Sequence, residues 1–180
     1  MRAVLVNAEL VLEQRRRLDI DRQDERWDGE WHFVNPPKLW HSRLNTDMAF
    51  VLTPLARAAG LGVYCESAGI FADAEDWRVP DQVYARPDQE VEEGLTGAEM
   101  VVEVRSQDDE SYAKLPFYAA RGITEALLVH RDRRFELYRL DQAGAYKPVE
   151  DGRSTVLDVT FTTVEGPKLR IAWADGSAEV

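Results

Sequence analysis

The chain has little sulfur and little positive charge. Cys65 is its only cysteine, so no internal disulfide can form and zinc sites built on several cysteines are excluded. No apolar run approaches the length needed to span a bilayer. The opening Met1-Arg2-Ala3-Val4-Leu5-Val6 lacks a long apolar segment with a small-residue cleavage site, so a cytoplasmic protein is expected. The three histidines form no pair at metal-ligand spacing, and no glycines gather into a phosphate-cradling loop. Lys and Arg number 22 against 33 Asp and Glu, a net charge of −11. That balance argues against nucleic-acid binding through a broad basic surface, because such binding rests on neutralised phosphates. It leaves room for a nuclease, whose metal-holding carboxylates themselves add negative charge.

The chain does contain enough apolar residues, 44% over 180 positions, for one domain with a sizeable core. A first helix is expected over 7–18, capped by Asn7 and ending on Arg15, Arg16 and Arg17. Glu30 to Val34 reads as a strand after the Asp28-Gly29 turn. Trp40, Leu44, Met48, Val51, Leu52 and Leu55 recur at spacings of three and four and predict a helix over 39–59, with Pro54 kinking it or ending it early. Strands follow at 63–66, 69–71 and 77–84, then an acidic loop over 86–98. A central strand is expected at 99–105 and a helix within 109–121. A hairpin of 125–130 and 135–140 turns across Arg131 to Arg134, and further strands fall at 155–164 and 168–173. The order predicts a mixed α/β fold, one mixed sheet flanked by helices in a single domain over 1–180. Residues 1–24 would form a helical extension and 151–180 the C-terminal strands.

The chemically informative residue is Glu103, inside the apolar run Met100-Val101-Val102-Glu103-Val104-Arg105. A carboxylate in a buried strand is costly unless a cation, a metal or hydrogen-bond donors meet it. Strand alternation puts Glu103 and Arg105 on one face. Asp81, in Pro80-Asp81, falls near the start of the upstream strand, and the loop between the two strands is long enough for them to be neighbours. Asp81 and Glu103 together would make a hard oxygen site for Mg²⁺ or Mn²⁺, with the Val104 carbonyl and waters completing the shell. A cation nearby would neutralise charge building on a scissile phosphate. On residue types alone, a structural salt bridge from Glu103 to Arg105 or Lys114 explains the pattern equally well.

Pro80-Asp81 followed by Glu103-Val104-Arg105 resembles the PD-(D/E)XK nuclease signature with Arg in the lysine position. More specifically, the chain resembles the Uma2 family of restriction-endonuclease-like proteins. The matching pieces run in order: Asp28-Gly29-Glu30, Pro36-Pro37, His41 opening the long helix, Pro80-Asp81, Val101 to Ser106, Lys114-Leu115, Tyr118-Ala119, Gly122-Ile123 and Glu125. They cover roughly residues 25–150. The resemblance implies a restriction-endonuclease-like core, DNA as substrate, a homodimer, and Asp81 and Glu103 as holders of Mg²⁺ or Mn²⁺. It implies that Lys114 serves in place of the strand lysine. Arg105 departs from the pattern: its guanidinium stays protonated, so it can clamp a phosphate but cannot act as a base. Pro116 departs too, since it removes a backbone donor inside the expected helix. A nuclease-like fold without catalysis, used as a binding or regulatory module, is the alternative.

Glu66 is a possible further ligand or water contact, or else an exposed strand-end charge. His41 could approach the site, or serve as a helix-end hydrogen-bond partner. Cys65 is expected to be a buried inert thiol. Ser106 is expected to cap the following helix.

Overall fold

The computed structural model describes residues 8–65, 68–106 and 109–180. Its main sheet has six strands: β1 (Gly62–Cys65), β2 (Gln82–Ala85), β3 (Met100–Arg105), β4 (Glu125–His130), β5 (Phe135–Leu140) and β6 (Tyr146–Pro148). They lie side by side in chain order. All neighbours are antiparallel except β3 and β4, which are parallel. A parallel pair needs a crossover, and helix α3 (Ser111–Ala120) supplies it. β3 is apolar at all but Glu103 and Arg105 because it is central and covered on both faces, with Met100 to Val104 all buried.

Helix α2 (Leu39–Ala58) lies on one face. Its buried stripe Leu44, Met48, Leu52 and Ala56 packs against Met100, Val102 and Val104. The same core takes in Val159, Phe161, Leu169 and Ile171 from a separate four-stranded C-terminal sheet. On the other face, Phe117 and Tyr118 of α3 pack with Val83, Val101 and Ala126. This second core also holds Ile70 and Leu95 from a further small sheet that contains strands 25–27, 30–32 and 76–78.

The mixed α/β class expected from sequence is present, but the expectation of a single sheet is not: the described strands form three. The strand expected over 77–84 is two strands in different sheets, Asp76–Arg78 and β2. Pro80 explains the break, since it has no N–H for a ladder. The acidic loop holds a 3₁₀ turn and a small hairpin, 90–91 with 94–95. Pro54 does not end α2, and Pro116 lies inside α3. A first helix, α1 (Ala8–Arg17), is also present; its expected cap, Asn7, lies outside the described residues. Cys65 is exposed, against expectation, because it closes β1 at the edge of the main sheet.

Candidate functional site

The break at Pro80 places Asp81 immediately before β2. β2 and β3 are antiparallel and their ladder ends with Gln82 opposite Val102, so Asp81 stands one residue beyond it, close enough to Glu103 for the two charges to interact. The Val104 amide donates to Asp81 Oδ2 at 2.7 Å, and a strand residue's N–H and C=O point to the same edge. The Val104 carbonyl is therefore on the Asp81 side.

Glu103 is buried, and α3 lies across it. Lys114 Nζ donates to Glu103 Oε1 at 3.1 Å and the Tyr118 hydroxyl donates to the same oxygen at 2.5 Å. The i, i+4 spacing of Lys114 and Tyr118 puts both on one side of the helix. Burial pushes the Glu103 carboxyl up to about 7; Lys114 pulls it back, and Asp81 and Glu25 push it further up. For Lys114, burial works against the charged form, but Glu103 and Glu25 outweigh it and leave the ammonium harder to deprotonate than an ordinary lysine.

Glu25 is the site residue that sequence reasoning missed. It is buried, and its Oε1 lies 2.7 Å from Lys114 Nζ. The Val79 amide and the Trp27 indole N–H hold its two oxygens at 2.8 and 2.7 Å. The available signal was slight, a carboxylate alternating with Trp27 just ahead of the Asp28-Gly29 turn. His32 belongs to the same neighbourhood. Its ring stacks on Trp27 at 4.0 Å, and its Nδ1 lies 2.8 Å from Glu110.

His41 enters from the first turn of α2, with Nε2 3.3 Å from Asp81 Oδ2. Burial lowers the imidazole's affinity for protons, but Asp81, the Val104 backbone and Glu103 reverse this and leave it raised. Its Nδ1 is buried without a hydrogen-bond partner among the described residues. Arg105 takes no part in the Glu103 cluster. Its guanidinium lies 3.2 Å from Asp109 and 4.1 Å over the Tyr112 ring. Ser106 does not cap α3; Asp109 accepts from the Ser111 amide instead. Glu66 lies outside the described residues.

Glu25, His41, Asp81, Glu103, Val104 and Lys114 all line one cleft of about 360 Å³. Asp109 and Glu110 line it too, so five carboxyl groups stand against the two ammonium groups of Lys38 and Lys114, an acidic lining. Among the described residues, the bonds to Glu103 fall on Oε1 and those to the Asp81 carboxylate on Oδ2, so Glu103 Oε2 and Asp81 Oδ1 are not engaged. With the Val104 carbonyl these oxygens make a donor set that suits a small hard cation. Among the described residues, no group of three or more His, Cys, Asp and Glu side chains has metal-binding geometry, so such a set would rest on two carboxylates, a backbone oxygen and solvent.

Comparison with known proteins gives a family and a fold. The model of a family described as "Putative restriction endonuclease", Uma2, matches residues 12–171. The fold is similar to a crystal structure described as "a putative nuclease belonging to DUF820" from Anabaena variabilis. The TM-score is 0.56 and the identity 14%, over 73% of this chain and 78% of that one. No curated protein matches the chain.

Proposed function

The chain belongs to the Uma2 family, and from that premise we propose that it is a metal-dependent endonuclease hydrolysing DNA phosphodiesters in the manner of PD-(D/E)XK enzymes. The observation that carries the reading is the carboxylate pair: Asp81 and Glu103 line one cleft, each with an oxygen outside its hydrogen bonds to the described residues, and Lys114 is beside them. Mg²⁺ or Mn²⁺ held by Asp81, Glu103 and the Val104 carbonyl would supply Lewis acidity, activating a water and drawing charge off the phosphate.

The protein's own groups then have separable tasks. The Val104 amide and His41 orient Asp81 through Oδ2. Tyr118 and Lys114 orient Glu103 through Oε1. Lys114, kept protonated by Glu25 and Glu103, acts as a cation that binds the scissile phosphate and donates a hydrogen bond as charge builds, not as a general base. Arg105, turned onto Asp109, is left out of the chemical step. A homodimer acting in the cytoplasm completes the proposal, since one cleft per chain addresses one strand of a duplex. Sedimentation velocity tests the dimer.

The direct test is nicking of supercoiled plasmid with Mg²⁺ or Mn²⁺ by the wild type and by Asp81→Asn and Glu103→Gln. The expected result is cleavage by the wild type, suppressed by EDTA, and loss of about 10³-fold or more in both variants with an unchanged circular-dichroism spectrum. Cleavage that persists in both would sink the assignment. The second reading, a catalytically inert module, is favoured by the ammonium already against Glu103. It requires that Mn²⁺ leave the wild-type melting temperature unmoved.

A further inference from the structure

A second depression, of about 530 Å³, opens beside the cleft and has the opposite charge. Lys38 and Ser106 line both. Three segments build the second one. The entry to α2 gives Lys38 and Trp40, the end of β3 gives Arg105, and the β4–β5 turn gives Arg131, Asp132 and Arg134. The parallel β3–β4 register sets His130 beside Arg105, which brings the turn to the mouth of the cleft. Four Lys or Arg side chains thus stand against one carboxylate, in a chain whose net charge is −11.

Two of the four cations are already neutralised. Arg134 pairs with Asp132 at 2.8 Å and Arg105 with Asp109 at 3.2 Å. Lys38 and Arg131 are exposed and have no carboxylate in ion-pair contact among the described residues. Arg131 is held 5.4 Å above the half-buried Trp40 ring, which fixes the turn against α2 and presents the guanidinium to the groove.

The net charge of −11 works against a polyanion as a whole. At physiological salt, charges are felt over about 8 Å, so its backbone settles where the local sign reverses, and the sign reverses here, continuous with the carboxylate cleft.

Resting on the nuclease reading above, we propose that this groove is the track for the substrate's sugar–phosphate backbone. Lys38 and Arg131 bind phosphates flanking the scissile one. As phosphate contacts they position the backbone and carry no sequence information.

The test measures binding of a fluorescein-labelled duplex and its single strand without divalent ion, so that no hydrolysis intervenes, across a salt series. Each phosphate contact contributes about 0.9 to the slope of log K against log salt for duplex and about 0.7 for single strand. Arg131→Ala is expected to flatten the slope by about one contact, Arg131→Lys to restore it, and Lys38→Ala with Arg131→Ala to flatten it by about two. Arg57→Ala, at the far end of α2, is expected to leave it unchanged. An unchanged slope in Arg131→Ala with a lowered melting temperature would overturn the proposal and make the Arg131–Trp40 contact a fastening of the turn. A wild type that binds neither oligonucleotide would also overturn it. The outcomes separate the two readings. A flattened slope alongside cleavage that survives Asp81→Asn and Glu103→Gln would keep the groove and sink the cleft assignment. Cleavage lost in those variants with the slope unmoved in Arg131→Ala would do the reverse.

Discussion

Lys114 is a single ammonium within reach of two buried carboxylates, Glu25 at 2.7 Å and Glu103 at 3.1 Å. Removing one member of such a cluster leaves uncompensated buried charge, at a cost of about 3–5 kcal/mol. Lys114→Met is therefore expected to destabilise the fold by about that amount in chemical denaturation, as well as to abolish cleavage. A loss below about 1 kcal/mol would show that the cluster is hydrated and weak. Glu103 gives a pH signature. Its folded-state value of about 7 lies above the ordinary 4.5, so between those pH values the folded state binds more protons than the unfolded one. Stability contributed by this group therefore falls as pH rises through that window. The melting temperature of the metal-free wild type, taken relative to Glu103→Gln, is expected to decline from pH 4.5 to 7. Parallel curves would contradict the burial argument.

At the scale of elements, the C-terminal sheet is tied to the main sheet through Glu125 on β4. Ser154 Oγ donates to Glu125 Oε2 at 2.5 Å. The Thr155 amide and hydroxyl donate to Oε1 at 2.9 and 3.0 Å, and Arg139 pairs with it at 2.9 Å. Just ahead of this junction Gly152 has φ +64°, and a Cβ there would run into the Phe161 carbonyl and the Phe135 ring. Gly152→Ala is expected to cost more than 1 kcal/mol in denaturant midpoint stability, through both strain and the clash. Gly166→Ala, also at positive φ but with nothing near its Cβ, is expected to cost less. Equal costs would mean that φ alone sets the penalty. The elements were largely legible from periodicity: the α2 stripe, β3, and the β4–β5 hairpin fall where the apolar spacing put them. The split at Pro80 was not legible, because local pattern carries no information on which sheet a strand joins.

At the scale of the whole molecule, the anionic cleft is a charge imbalance that a bound cation relieves. Mn²⁺ is expected to raise the wild-type melting temperature, equivalent to about 2.7 kcal/mol at a hundred times its dissociation constant. Asp81→Asn is expected to lose that gain while melting within a few degrees of the wild type without metal. Differential scanning fluorimetry reads both, independently of any activity, and an equal gain in the variant would place the ion elsewhere.

The amino-acid sequence by itself determined the strand carrying Glu103, the alternation that turns this carboxylate to the face that α3 covers, and the helices above and below it, because these follow from local spacing of apolar residues. It also singled out Asp81 and Lys114. Only the tertiary structure decided which cation meets Glu103. Arg105 shares the strand face but finds Asp109 four residues on, while Lys114 reaches Glu103 because α3 crosses directly over it. Only the tertiary structure brought in Glu25, some 78 positions from Glu103 along the chain. A long-range ion cluster leaves no periodic trace, since each member sits in its own element, and it exists only where the sheets and helices pack.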